Sequence, residues 1–195
     1  YHLTAEGNYT KETLFDPSLA HCFFEWNYIA DVDSILNAVS VRRIRESLGE
    51  VLAGEFRPAD ADVVTFLPRC PEVAARAYAR RARLPFEPVF YKMRGERSFQ
   101  GTTAADRKQS IGENLHLLPG AERALEGKTV VMIDDSIVRG NNSKRARDLL
   151  YKEAKVKKAY LVSYTPPIGI IGVDGVPRGC HFGVDMPPEP PPGEE

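Results

Sequence analysis

Apolar positions along the chain fall into two periods. From Val41 they recur at Ile44, Leu48, Val51 and Leu52, with Arg42, Arg43, Arg45 and Glu46 between them. This is the spacing of an amphipathic helix, and Ser40 stands where it can cap it. Asp62 to Leu67, Phe86 to Tyr91, Thr129 to Ile133 and Ala159 to Tyr164 are short runs rich in β-branched and aromatic residues, which read as buried strands. Pro71 to Arg83 reads as an Ala/Arg-rich helix with proline in its first turn, and Ser143 to Ala154 as a further helix. Strands alternating with helices predict an α/β fold: a central parallel sheet with right-handed crossovers, helices on both faces and a small hood from the terminal segments. No internal repeat interrupts the pattern.

Three stretches stand outside it. Residues 1–20 lack periodicity and are expected to finish an element begun upstream. Between Lys92 and Thr129 the text turns polar and glycine-punctuated, with only Ile111, Leu115, Leu117 and Leu118 as apolar anchors. A loop of that length is usually a lid, a binding loop or disordered. The proline-rich residues 188–195 read as an extended tail. The expected division is therefore a remnant over 1–20, one domain over 21–187 and the tail.

Composition narrows the classes. With 195 residues, 43% hydrophobic and 27% charged, the chain can bury one sizeable core, and its formal net charge of −1 offers no bulk attraction for nucleic acid or membrane. No apolar stretch approaches the roughly 20 residues of a bilayer span and no signal-peptide pattern opens the chain, so a cytoplasmic protein is expected. Cys22, Cys70 and Cys180 form neither a disulfide framework nor a zinc pattern, and buried free thiols are the expectation. His2, His21, His116 and His181 lack metal-ligand spacing. Arg76, Arg80, Arg81 and Arg83 are expected on a solvated helix face, and Trp26 and Tyr28 in the core.

The chemistry concentrates in residues 129–143. The apolar strand delivers Asp134 and Asp135 at its carboxyl end, where open α/β sheets bind ligands. The following turn, Ser136 to Asn142, contains Gly140, and Ser143 is placed to cap the next helix. An acid pair followed by amide groups at a helix N-terminus suits a phosphorylated polyol, with the carboxylates on hydroxyls or hydrated Mg²⁺ and the turn on phosphate.

Ile133-Asp-Asp-Ser-Ile-Val-Arg-Gly-Asn-Asn-Ser143 resembles the phosphoribosyl pyrophosphate (PRPP) loop of type I phosphoribosyltransferases, in the wording of the glutamine PRPP amidotransferase family. Cys22-Phe-Phe-Glu-Trp-Asn-Tyr-Ile-Ala-Asp-Val-Asp-Ser34 and Gly183-Val-Asp-Met-Pro187 are similar to the start and end of that family's transferase domain. With Lys92 to Leu115, the resemblance covers most of residues 20–187.

The resemblance implies transfer of a phosphoribosyl group from Mg²⁺·PRPP to ammonia, giving 5-phosphoribosylamine and pyrophosphate, the first step of purine biosynthesis. It assigns Asp134 and Asp135 to the ribose hydroxyls and Mg²⁺, and Ser136, Val138, Arg139, Gly140, Asn141, Asn142 and Ser143 to the substrate. Lys92, Arg94 and Arg97, on a closing loop, would stabilise the departing pyrophosphate. Leu67 to Pro71 occupies the place of the pyrophosphate loop, with Cys70 where a small hydroxyl residue is common.

The resemblance does not extend to the family's glutamine-hydrolysing domain, which is expected to be absent from this chain. Ammonia would come from such a domain or subunit, and a homo-oligomer is expected. Cys22 and Cys180 fall at two of the four cluster-ligand positions of iron–sulfur members, so a cluster would require a longer chain. Two other readings stay open: a non-catalytic PRPP- or nucleotide-sensing regulator, which Cys70, Asn141, Asn142 and Gly112 to Asn114 would suit, and a phosphoribosyltransferase with a different acceptor.

Overall fold

The computed structural model describes residues 2–12, 21–93, 114–138, 140–166, 170, 171, 175, 177 and 178. Short strands β1 (His2–Leu3) and β2 (Tyr9–Thr10) form a hairpin, and β3 (Ile35–Leu36) and β4 (Val39–Ser40) form another after a π-helical turn over Glu25–Ile29. There follow α1 (Val41–Glu55), β5 (Val63–Phe66), α2 (Glu72–Ala82), β6 (Phe90–Lys92), β7 (Leu115–Leu117) and α3 (Ala121–Leu125). Then come β8 (Thr129–Asp134), α4 (Asn141–Asp148) continuing into a π-helical turn over Leu149–Glu153, β9 (Lys158–Ser163), and a last antiparallel pair, β10 (Ile170–Ile171) and β11 (Pro177–Arg178).

The central sheet is parallel, in the order β5-β8-β9, with Val63 opposite Val130 and Asp134 opposite Ser163. Alternation along the strands supplies two cores. Val64, Phe66, Val131 and Ile133 face Ala74, Ala75, Tyr78 and Ala79 of α2, whereas Val63, Val130 and Met132 face Leu125, Ala146, Leu149 and Leu150. The α/β architecture with helices on both faces is thus present. Among the described residues no helix is long and apolar enough to cross a membrane.

Several local expectations change. The run from Phe86 to Tyr91 is split: Phe86 bridges Val64 in parallel, while Phe90–Lys92 leaves the sheet and pairs antiparallel with Leu115–Leu117. Pro85 and Pro88, which lack a backbone donor, flank the break. The polar stretch after Lys92 contains β7 and α3, and residues 94–113 lie outside the described set. In α1 the buried stripe is Val41, Arg45, Gly49 and Ala53, so Val51 is exposed and Arg45 is not a surface residue. Ser40 caps that helix as expected, its side chain accepting from the Arg43 N–H. Arg76 and Arg80 lie on an exposed face, paired with Glu72 and Glu50. Cys22 and Tyr28 are exposed rather than buried, because the Cys22–Asp31 segment lies over the end of the sheet instead of within it.

Candidate active site

The buried strand β8 carries the chain into the carboxyl end of the sheet, and its last residue is Asp134. Asp134 and Asp135 are each only 8% exposed, so two adjacent carboxylates have been drawn out of water. Burial, then the charge of Asp135, pushes the Asp134 carboxyl from 3.8 up to about 7, while the Asp135 N–H and the charge of Lys92 act against that rise. Asp135 is raised too, mainly by burial; Ser136, Arg45 and Lys92 favour its ionised form. The Asp135 N–H donates to Asp134 Oδ1 at 2.9 Å, and the Ser136 hydroxyl donates to Asp135 Oδ1 at 2.7 Å. On the neighbouring strand end the Ser163 hydroxyl donates to the Asp135 carbonyl at 3.0 Å.

Beyond the acids, Ile137 and Val138 are exposed, and Gly140 takes a left-handed φ of 70° at the head of α4. The helix begins at Asn141, two residues before the sequence suggested, so Ser143 lies within the first turn and does not cap it. Gly140 holds the cap position because its backbone can adopt that angle without a Cβ clash. The Lys144 N–H is bonded to the Gly140 carbonyl at 2.8 Å. The amides of Asn141, Asn142 and Ser143, in the turn before it, are the ones a helix cannot satisfy internally.

Of the sequence-selected residues, Asp134, Asp135, Ser136, Val138, Gly140, Asn141, Asn142 and Ser143 therefore lie on one strand–turn–helix connection. Lys92, at the end of β6, is close enough for its charge to act on both acids. Arg139, Arg94, Arg97 and Cys180 lie outside the described residues. Among the described residues no group of three or more His, Cys, Asp and Glu side chains could hold a metal ion.

The loop after β5 borders the acids: the Leu67 N–H donates to the Ile133 carbonyl at 2.9 Å, and the Pro68–Arg69 peptide bond is cis. Cys70 turns its thiol to the Asn27 carbonyl at 3.2 Å. The same carbonyl accepts from the Tyr164 hydroxyl at 2.9 Å, and the Asn27 amide donates to Thr165 Oγ1 at 3.2 Å. Arg45, Asn27 and Tyr164 had no role in the sequence reading. The available signal was Arg45 itself, four residues after Val41 and so on the helix face that includes Val41, Gly49 and Ala53.

No protein-family model matches the chain. The amidophosphoribosyltransferase of Pseudomonas aeruginosa is 35% identical over 192 residues, covering 95% of this chain and 36% of that protein. The chloroplastic amidophosphoribosyltransferase of Glycine max is 37% identical, covering 88% of this chain and 28% of that protein. Among solved structures, glutamine PRPP amidotransferase from B. subtilis, complexed with ADP and GMP, superposes with a TM-score of 0.69 at 31% identity, covering 96% of this chain and 38% of that one. The chain thus spans about a third of the length of the curated relatives it matches.

Proposed function

Because this chain belongs to the amidophosphoribosyltransferase family, we propose that it transfers the phosphoribosyl group of Mg²⁺·PRPP to ammonia, giving 5-phosphoribosylamine and pyrophosphate. The observation that carries this reading is the pair of buried carboxylates, Asp134 and Asp135, directly followed by the Gly140 turn and the open amides of α4. Two carboxylates this close and this buried are costly unless a cation or hydroxyl donors meet them. Two protein oxygens suit Mg²⁺, which commonly takes one or two carboxylates and completes its shell with water and substrate oxygens. In this reading Asp134 and Asp135 hold the ribose hydroxyls and the ion. Ser136, Val138, Arg139, Gly140, Asn141, Asn142 and Ser143 receive the 5′-phosphate, chiefly through main-chain N–H groups at a helix N-terminus. When bound, Mg²⁺ would neutralise charge on the diphosphate.

Chemically, the ammonia nitrogen forms a bond to ribose C1 as the C1–O bond to pyrophosphate breaks, and the extra proton on nitrogen passes to water. Unprotonated ammonia needs no general base, so the protein's task is positioning and charge. Lys92, whose charge acts on the acid pair, would offset the leaving group in this reading, and Arg94 and Arg97 would join it. Retention of these cations favours the transferase over a PRPP sensor, which has no leaving group to neutralise. A glutamine-hydrolysing domain or subunit would be the ammonia source, in a cytoplasmic homo-oligomer.

Calorimetry with Mg²⁺·PRPP and an assay of pyrophosphate release with ammonium chloride test the reading. Asp134→Asn with Asp135→Asn should weaken PRPP binding by roughly 1.5–3 kcal/mol per group. Parental affinity in that double variant would show the assignment to be wrong. Turnover should follow the unprotonated fraction of ammonia and rise with pH.

A further inference from the structure

Arg45 is a charged side chain with 3% exposure, on a helix face otherwise made of Val41, Gly49 and Ala53. Burying a guanidinium is costly, so its partners identify what it holds. They are two main-chain carbonyls at either end of one turn: Nε donates to Trp26 O and Nη2 to Ala30 O, both at 2.9 Å. Between those carbonyls lies Asn27, itself 4% exposed, whose carbonyl accepts from Tyr164 and Cys70 and whose amide reaches Thr165. Cys70 belongs to the loop that follows β5, and Tyr164 and Thr165 follow β9. The acid pair lies at the end of β8, between those two strands. One turn of backbone therefore ties together the strand ends on both sides of the acids, and one guanidinium holds that turn from α1.

We propose that Arg45 is a positioning residue for the transferase reaction, acting through the Trp26–Ala30 turn and Asn27 to fix the two strand ends that flank Asp134 and Asp135. The inference rests on the transferase reading above. It separates two tasks of the site. PRPP is held by residues of β8 and the head of α4, on which Arg45 acts only through its charge on Asp135, whereas the placement of the surrounding rim depends on the clamp. Small displacements of a rim that orients reactants cost rate more than affinity.

The chain supplies its own reporter. Trp26 is its single tryptophan, and the indole Nε1 is buried without a hydrogen-bond partner among the described residues. Loosening the clamp should wet the indole and shift its emission to the red. In Arg45→Met, loss of two charge-assisted bonds should lower kcat roughly ten- to hundred-fold. Mg²⁺·PRPP affinity should change less than the rate, by no more than about fivefold, through the lost charge acting on Asp135. Arg45→Lys, which can keep one of the two carbonyl bonds, should recover part of the rate and of the parental emission.

Circular dichroism checks that both variants fold. As a second route, Tyr164→Phe leaves Arg45 in place and removes the hydroxyl donor to the Asn27 carbonyl; it should show a smaller kcat loss with PRPP affinity retained. Parental kcat and parental emission in Arg45→Met would overturn the proposal, as would equal losses of kcat and PRPP affinity in both the Arg45→Met and the Tyr164→Phe variants. If the parent chain releases no pyrophosphate with ammonia, the transferase reading fails, while the emission of Trp26 still decides whether Arg45 holds the turn.

Discussion

The face of the sheet under α1 and α2 and the rim at its carboxyl end are built on opposite principles. Under the helices the buried side chains are mainly apolar, and along α2 many are small: Ala74, Ala75, Ala79 and Ala82 line that helix, and Gly49 lets α1 approach so closely that a Cβ there would lie 2.0 Å from the Ala74 carbonyl oxygen. At the rim the buried groups are Asp134, Asp135, Arg45 and Asn27, while the neighbouring Ile137 and Val138 are about half exposed. The first region stabilises the fold by excluding water from apolar surface. In the second, water is withdrawn from charges and apolar side chains are left in solvent, which costs stability unless a ligand arrives. Altering the first should therefore threaten folding, whereas altering the acid pair of the second should threaten binding and can stabilise the empty protein.

The sharpest test of this contrast is Asp134→Asn. Asp134 binds its proton more tightly folded than unfolded, so between pH 4 and 7 the folded state holds the extra proton and stability falls as pH rises, with the full loss present above pH 7. The asparagine variant cannot ionise, and urea denaturation at pH 8 should find it more stable than the parent by at most about 4 kcal/mol. Near pH 4 the two should converge, and PRPP binding should be weakened. A parent whose stability does not fall across that range would remove the argument that the acids are held at a cost.

Gly49→Ala should act in the opposite sense. The obstacle is main chain, not a side chain that can rotate away, so α1 and α2 must separate. We expect a loss of about 3 kcal/mol in thermal or urea unfolding, independent of pH, with PRPP affinity unchanged under conditions where the variant is folded. Ser40→Ala removes the cap of α1 and should cost about 1 kcal/mol or less, since its bond to the Arg43 N–H is long at 3.4 Å. Smallest of all, Arg80→Ala breaks an exposed pair with Glu50 at 2.8 Å and should change stability by no more than about 0.5 kcal/mol. If Arg80→Ala proved as damaging as Gly49→Ala, surface charge rather than close packing would hold α1 to α2.

Much of this protein was legible before folding because its signals are local. The β-branched run of β8 cannot be followed by Asp134-Asp135 and a Gly140 turn without putting carboxylates at a strand end and free amides at a helix start, and these relations involve near neighbours. The same holds for Ser40 before α1 and for the apolar runs that leave β5 and β8 buried on both faces. What sequence could not decide is where distant segments meet. Arg45 read as a polar residue between apolar ones because helical spacing gives only relative angles; the Trp26 and Ala30 carbonyls that select its direction arrive from an irregular segment. Val51, equally consistent with a helical stripe, is exposed because the close approach at Gly49 centres the buried face elsewhere. The Asn27 carbonyl joins Cys70 and Tyr164 across 43 and 137 positions of chain. No period encodes such a meeting, because it is chosen by the packing of whole elements, and the rim of the site is therefore a property of the tertiary structure.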